Sequence, residues 1–143
     1  MSKVKVVYWS GTGNTQMMAD KIAEGIVAGG KEAEVLSVDA VSAADLADEQ
    51  AFALGCPSMG VEQLEEGEME PFMCDLEGSL KGKKVVLFGS YGWGNGEWMD
   101  DWVERCENAG ATVIGREGII CNGEPDDDVN GELVDAGKDL AAL

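Results

Sequence analysis

Histidine is missing from all 143 residues. That removes the commonest general base and metal ligand, and conventional acid–base catalysis with it. The four cysteines, Cys56, Cys74, Cys106 and Cys121, form no C-x-x-C pair. A zinc ribbon, an iron–sulfur cluster and a thioredoxin-type dithiol therefore lack support, and buried, reduced thiols are expected. Basic residues are scarce, 10 against 28 acidic, which leaves a net charge of −18. Such a chain is poorly suited to nucleic acid or an anionic membrane surface. The acidity fits either plain solubility or a basic protein partner. No apolar stretch approaches membrane-spanning length, and the first ten residues, MSKVKVVYWS, lack the apolar core of a signal peptide. A soluble, cytoplasmic monomer is the expectation, with 1–143 as a single domain.

What is present is an alternation of apolar and amphipathic runs. Lys5–Trp9, Glu34–Val38, Ala51–Cys56 and Lys84–Phe88 read as short strands, and Ala111–Ile114 with Gly118–Cys121 as one interrupted fifth. Between them, Met18, Ile22 and Ile26 recur at helical spacing before the stop at Gly29 and Gly30. Trp98 and Trp102 share a second helical face and read as packing residues, and Leu133, Ala136 and Leu140 mark a third. DAVSAADLAD and EMEPFMCDLEGSL fill the remaining gaps as shorter helices. Strands alternating with helices predict a doubly wound five-stranded parallel sheet with helices on both faces. Right-handed crossovers then gather the loops that follow the strands along one edge.

Three of those loops carry unusual composition. SGTGNT, Ser10–Thr15, joins the first strand to the first helix. Backbone N–H groups at a helix start hold a phosphate without a cation, and the loop contains no lysine. It lacks the Gly-Lys-Ser/Thr ending of a triphosphate loop and the third glycine of a dinucleotide fingerprint, so a terminal monophosphate fits better. A tight turn with a good helix cap remains the plainer reading of this loop alone. GCPSMGVEQ follows the third strand and GSYGWGNGEW the fourth. In sheet order 2-1-3-4-5 these loops converge beside the first, at the switch point. Trp93, framed by Gly92 and Gly94, has no neighbour to bury it and suits stacking on something planar.

SGTGNT, GCPSMG and FGSYGWGNGEWMDDW together closely resemble the loops of short-chain flavodoxins of the anaerobic bacterial type, and the resemblance spans nearly the whole chain. It implies a flavodoxin-like sheet of order 2-1-3-4-5 with FMN at the switch point. By that resemblance Ser10, Gly11, Thr12, Gly13, Asn14 and Thr15 bind the phosphate. Met59 covers one face of the flavin and Trp93 the other. Gly60 is the position whose carbonyl can rotate toward flavin N5, and Glu62 the acceptor for N3–H. Val61, Gly92 and Trp93 offer backbone groups to the pyrimidine oxygens, Ser90 and Asn122 meet the ribityl chain or phosphate region, and Ser58, Tyr91 and Gly94 complete the set.

The function so implied is a low-potential one-electron carrier, not an enzyme with turnover of its own. It shuttles between quinone, semiquinone and hydroquinone states of non-covalently bound FMN. Glu62, Glu65, Glu66, Glu68 and Glu70 crowd one side. At about 10 Å and an effective dielectric near 40, each disfavours an anionic flavin by roughly 0.8 kcal/mol. The same acidic rim would steer the basic faces of flavoprotein reductases and iron–sulfur oxidoreductases. The alternative is a small FMN-dependent reductase of quinones or similar acceptors. It needs a substrate pocket beside the flavin, for which this length leaves no insertion.

Overall fold

The computed structural model describes residues 3–11, 13–59, 63–92 and 94–143. Its strands are β1 (Lys3–Tyr8), β2 (Glu32–Ser37), β3 (Ala51–Gly55), β4 (Lys84–Tyr91), β5 (Thr112–Val113) and β6 (Ile119–Asn122). Between and after them lie the helices α1 (Asn14–Ala28), α2 (Ala43–Ala47), α3 (Met69–Leu76), α4 (Glu97–Asn108) and α5 (Asp127–Ala141).

Strand periodicity builds the layers. Side chains alternate across a sheet, so adjacent apolar residues in a buried parallel strand serve opposite faces. Val6, Ala53, Val86 and Phe88 pack under α1 and α5 with Met18, Ile22 and Leu133. Val7, Phe52, Leu54, Val85 and Leu87 pack on the other face with Leu46, Phe72, Met73, Trp98 and Trp102. Both tryptophans are about 1% exposed, as their helical spacing predicted. On the first face two glycines bring α1 and α5 together. A Cβ on Gly25 would stand 2.0 Å from the Val134 carbonyl oxygen, and one on Gly137 would stand 2.1 Å from that of Ile22.

Every strand pair is parallel, and the order is β2-β1-β3-β4-β5 as expected. The expected fifth strand is interrupted, as its sequence suggests, and forms two pieces, β5 and β6. β5 pairs with Lys84 and Val85 and β6 with Phe88–Tyr91, so two short strands share one edge of β4. The chain breaks between them because Gly115 and Arg116 take positive φ, and because Gly118 lies against Met99, whose Sδ would be 2.1 Å from a Cβ there. Pairing with β6 also extends β4 through Gly89, Ser90 and Tyr91, which the sequence pattern assigned to a loop. Of the cysteines, Cys56, Cys106 and Cys121 are buried and free as expected, whereas Cys74 is exposed on α3. It falls on the solvent side of a helix whose buried face is Met69, Phe72, Met73 and Leu76.

Candidate functional site

The loops after β1, β3 and β4 meet at the carboxyl ends of the strands. The first begins with Trp9, whose N–H donates to the Gly55 carbonyl at 2.9 Å and carries the β1–β3 pairing one residue further. Gly13 caps α1 in the left-handed region, φ 96°. Its N–H donates to Ser10 Oγ at 3.0 Å, which leaves the Ser10 hydroxyl proton for a ligand. Among the described residues no side chain caps α1, and its first turn holds no acidic residue. Each other helix places acid there: Asp45 in α2, Glu70 in α3, Glu97 and Asp100 in α4, Asp127 and Asp128 in α5. In a chain so acidic, one clean helix start keeps its partial positive charge for an incoming anion.

Thr15 lies just behind this turn, 1% exposed, with Oγ1 3.2 Å from Ser90 Oγ. Oγ1 also accepts the Ser90 N–H at 3.4 Å. One of the two hydroxyl protons bridges the pair and the other remains to be donated. Ser90 is 4% exposed and lines the crevice, so loop one is clamped to β4 through this pair.

The second loop is held at several points. The Ser58 N–H donates to the Ser90 carbonyl at 3.0 Å, and Met59 and Gln63 exchange backbone bonds of 2.8 and 3.0 Å. Gln63 Nε2 donates to Glu66. The Glu65 carboxylate accepts N–H bonds from Gly67, Glu68 and Met69 at 2.6, 2.7 and 3.0 Å. Partial burial opposes its ionisation, but these three donors outweigh it and lower its pKa. In the third loop Tyr91 tilts against Trp98, ring centroids 5.7 Å apart, and the Tyr91 carbonyl accepts the Gly123 N–H at 2.9 Å.

The result is a crevice of about 240 Å³. Gly11, Asn14, Ser90 and Gly92 line it, and Trp9, Pro57, Met59 and Tyr91 give it apolar walls. A larger depression of about 540 Å³ lies between α3 and α4, lined by Glu77, Asp101, Glu104 and Arg105. Its one cation is already taken, since Arg105 grips Glu70 in a two-toothed bond of 2.8 and 2.7 Å and also bonds Glu77. That depression offers an anion nothing.

Among the residues singled out from sequence, Gly11, Asn14, Ser58, Met59, Ser90, Tyr91 and Gly92 line the crevice, and Ser10, Gly13 and Thr15 support it. Gly94 is exposed beside it. Asn122 is exposed at the end of β6, paired with Tyr91 and off the lining. Thr12, Gly60, Val61, Glu62 and Trp93 lie outside the described residues. Trp9, Pro57 and Gly123 were not singled out, though each line the wall. Their signal was position, since each abuts a strand end that feeds the crevice. The acidic rim is also less uniform than composition suggests. Arg105 neutralises Glu70 and holds its pKa below the usual carboxylate range. Glu66 and Glu68 face solvent, the latter accepting the Trp9 indole N–H at 3.3 Å.

Fold and crevice together define a doubly wound protein in which an acid-free helix start opens beside apolar walls. Comparison with known proteins agrees. A family model described as Flavodoxin matches residues 6–137. The chain is 52% identical to a flavodoxin of Megasphaera elsdenii over 123 residues, 86% of this chain and 88% of that protein. With a flavodoxin of Clostridium beijerinckii it is 46% identical over 140 residues, covering 98% and 100%. The solution structure of two-electron reduced Megasphaera elsdenii flavodoxin superposes with a TM-score of 0.87 at 48% identity, over 95% of this chain and 98% of that one. The chain belongs to the flavodoxin family. It is an electron carrier whose prosthetic group is FMN, and it works between redox partners. Among the described residues no helix is long and apolar enough to cross a membrane.

The residues present fit that group. A Cβ on Gly13 would meet nothing within 4 Å, so the turn has open space at its helix end. The donors are hydroxyls and backbone N–H groups, and the walls are aromatic and thioether.

Proposed function

We propose that this chain is a low-potential, one-electron carrier without substrate turnover of its own, and that the crevice is its FMN site. The observation that carries the reading is the uncapped, acid-free start of α1 opening beside an apolar wall. In this assignment Ser10, Gly11, Thr12, Gly13, Asn14 and Thr15 hold the phosphate. Ser58, Met59, Gly60, Val61 and Glu62 meet one side of the ring, and Ser90, Tyr91, Gly92, Trp93 and Gly94 the other. Asn122, off the crevice lining, would reach the ribityl region only through its backbone neighbours.

FMN, when bound, supplies an aromatic ring that accepts electrons. The protein's part is to hold the phosphate with donors instead of cations, to exclude water from the ring faces, and to surround the site with negative charge. Glu66 and Glu68, which have no cationic partner among the described residues, supply the local part of that charge and resist additional negative charge on the ring. The same surface favours brief encounters with basic faces of flavoprotein reductases and iron–sulfur oxidoreductases. A net charge of −18 opposes self-association, in keeping with a cytoplasmic monomer.

Titration of FMN-free protein with FMN and with riboflavin, followed by quenching of flavin fluorescence, tests the site. The phosphate nest predicts FMN binding on the order of 100-fold tighter, equivalent to about 2.7 kcal/mol. Equal affinities would remove the nest. Rapid reduction of quinones by the isolated holoprotein would favour a reductase instead.

A further inference from the structure

Cys56 is the first residue past β3 and is fully buried. Each of its polar groups has a partner. The N–H donates to the Phe88 carbonyl of β4 at 3.1 Å, and the carbonyl accepts the Trp98 indole N–H at 3.0 Å. The thiol donates to the Pro57 carbonyl at 3.4 Å and accepts the Glu65 N–H at 3.4 Å. Pro57 and Glu65 are the two feet of the turn that carries Ser58 and Met59 into the crevice. One side chain therefore ties those feet together, while its backbone ties them to the strand and helix flanking the third loop.

The surroundings keep this junction tight. A Cβ on Gly89 would stand 2.1 Å from the Cys56 carbonyl oxygen and 3.1 Å from the Trp98 ring, so only glycine lets β4 pass there. Glu65 continues the chain of contacts, because its carboxylate holds the first N–H groups leading into α3. Burial pushes the thiol pKa up to about 12, so the S–H proton needed by Pro57 is present throughout the neutral range.

We propose that Cys56 is a positioning residue for the flavin-facing turn: its thiol sets the spacing of the turn's feet, and through it the placement of Ser58 and Met59 against FMN. The proposal rests on the crevice being the FMN site. It assigns to a residue behind the crevice an influence on affinity and potential.

Two variants separate this role from packing. Cys56→Ala removes both thiol contacts, whereas Cys56→Ser keeps a donor and an acceptor. Three readouts apply: FMN dissociation constants, midpoint potentials by redox titration, and amide hydrogen exchange at Glu65 in FMN-free protein. Cys56→Ala should bind FMN about tenfold more weakly, equal to about 1.4 kcal/mol. It should also speed exchange at Glu65 and shift at least one midpoint potential. Cys56→Ser should stay within about threefold of wild type, because a hydroxyl replaces both weak thiol bonds. If Cys56→Ala fails to fold, Cys56→Val fills the site without donor or acceptor and should show the same losses. Alanine (or valine) and serine variants alike in all three readouts would overturn the proposal and leave Cys56 as filler. Wild-type protein that binds no FMN would sink the reading beneath it, an outcome told apart because the proposal's own failure requires wild type to bind and the variants to match it.

Discussion

α1 and α5 are both fifteen residues long and lie against each other through Gly25 and Gly137, yet they begin in opposite ways. α5 is closed by its own sequence. Asp126 caps it by accepting the Val129 N–H at 2.9 Å, and Asp127 and Asp128 complement its dipole. α1 has a left-handed glycine in place of a cap and no acid in its first turn. The difference lies in what stands in front of each: solvent before α5, the crevice before α1. On the proposed reading of the crevice, α1 forgoes local stabilisation so that its donors stay available to a phosphate.

The largest expected effect comes from erasing that contrast. Asn14→Asp gives α1 the acid that every other helix has. It should weaken FMN binding by roughly 100-fold, since a carboxylate within about 4 Å of a phosphate costs several kcal/mol at the dielectric of a protein surface. The same change should slightly raise the melting temperature of the FMN-free protein, because the acid complements the helix dipole. Fluorescence titration and thermal melts read the two signs separately, and unchanged affinity would refute the phosphate assignment.

Next in size is the shared packing. Gly25→Ala drives a methyl group into the Val134 carbonyl and forces the helices apart, lowering the unfolding free energy by about 2–3 kcal/mol. Urea unfolding measures this, and a loss no larger than that of an exposed alanine substitution would contradict the close approach. Asp126→Ala removes the α5 cap and should cost about 1 kcal/mol in the same assay. FMN affinity should be unaltered, and a parallel loss of affinity would mean the two helix starts are coupled.

The smallest effect is pH dependence. Glu65 and Glu70 have folded-state pKa values below the ordinary 4.5, Glu65 through three N–H donors that outweigh its partial burial, and Glu70 chiefly through Arg105. Each contributes stability that is complete above that value and is lost as pH falls through the lower folded value. Glu70→Gln should therefore destabilise near neutrality and converge with wild type in strong acid. A constant gap across the whole range would show that the charge of Glu70 is not what α3 and α4 share.

Much of this was readable in advance because its causes are local. The switch from strand to helix at SGTGNT follows from apolar periodicity and glycine, and it located loop one within two residues at either end. The spacing of Trp98 and Trp102 placed both in the core. Other features had no local cause. The interruption between Ala111 and Cys121 was legible but its cause was not, since the break depends on Met99 of α4 crowding Gly118. The carboxylates of Glu65 and Glu70 looked alike as part of an acidic run. One is bound by neighbouring backbone and the other by an arginine 35 residues away.

By itself the sequence determined the alternation of elements, the parallel sheet and the gathering of the post-strand loops at one edge, while the strand order came from the resemblance. Periodicity, turn chemistry and crossover handedness act over a few residues or are general to such chains. Only the tertiary structure decided which buried groups face each other: Thr15 with Ser90, Arg105 with Glu70, and Cys56 with both feet of the turn. Such contacts depend on ångström-scale separations between packed elements, and those separations are set when the two faces of the sheet are filled.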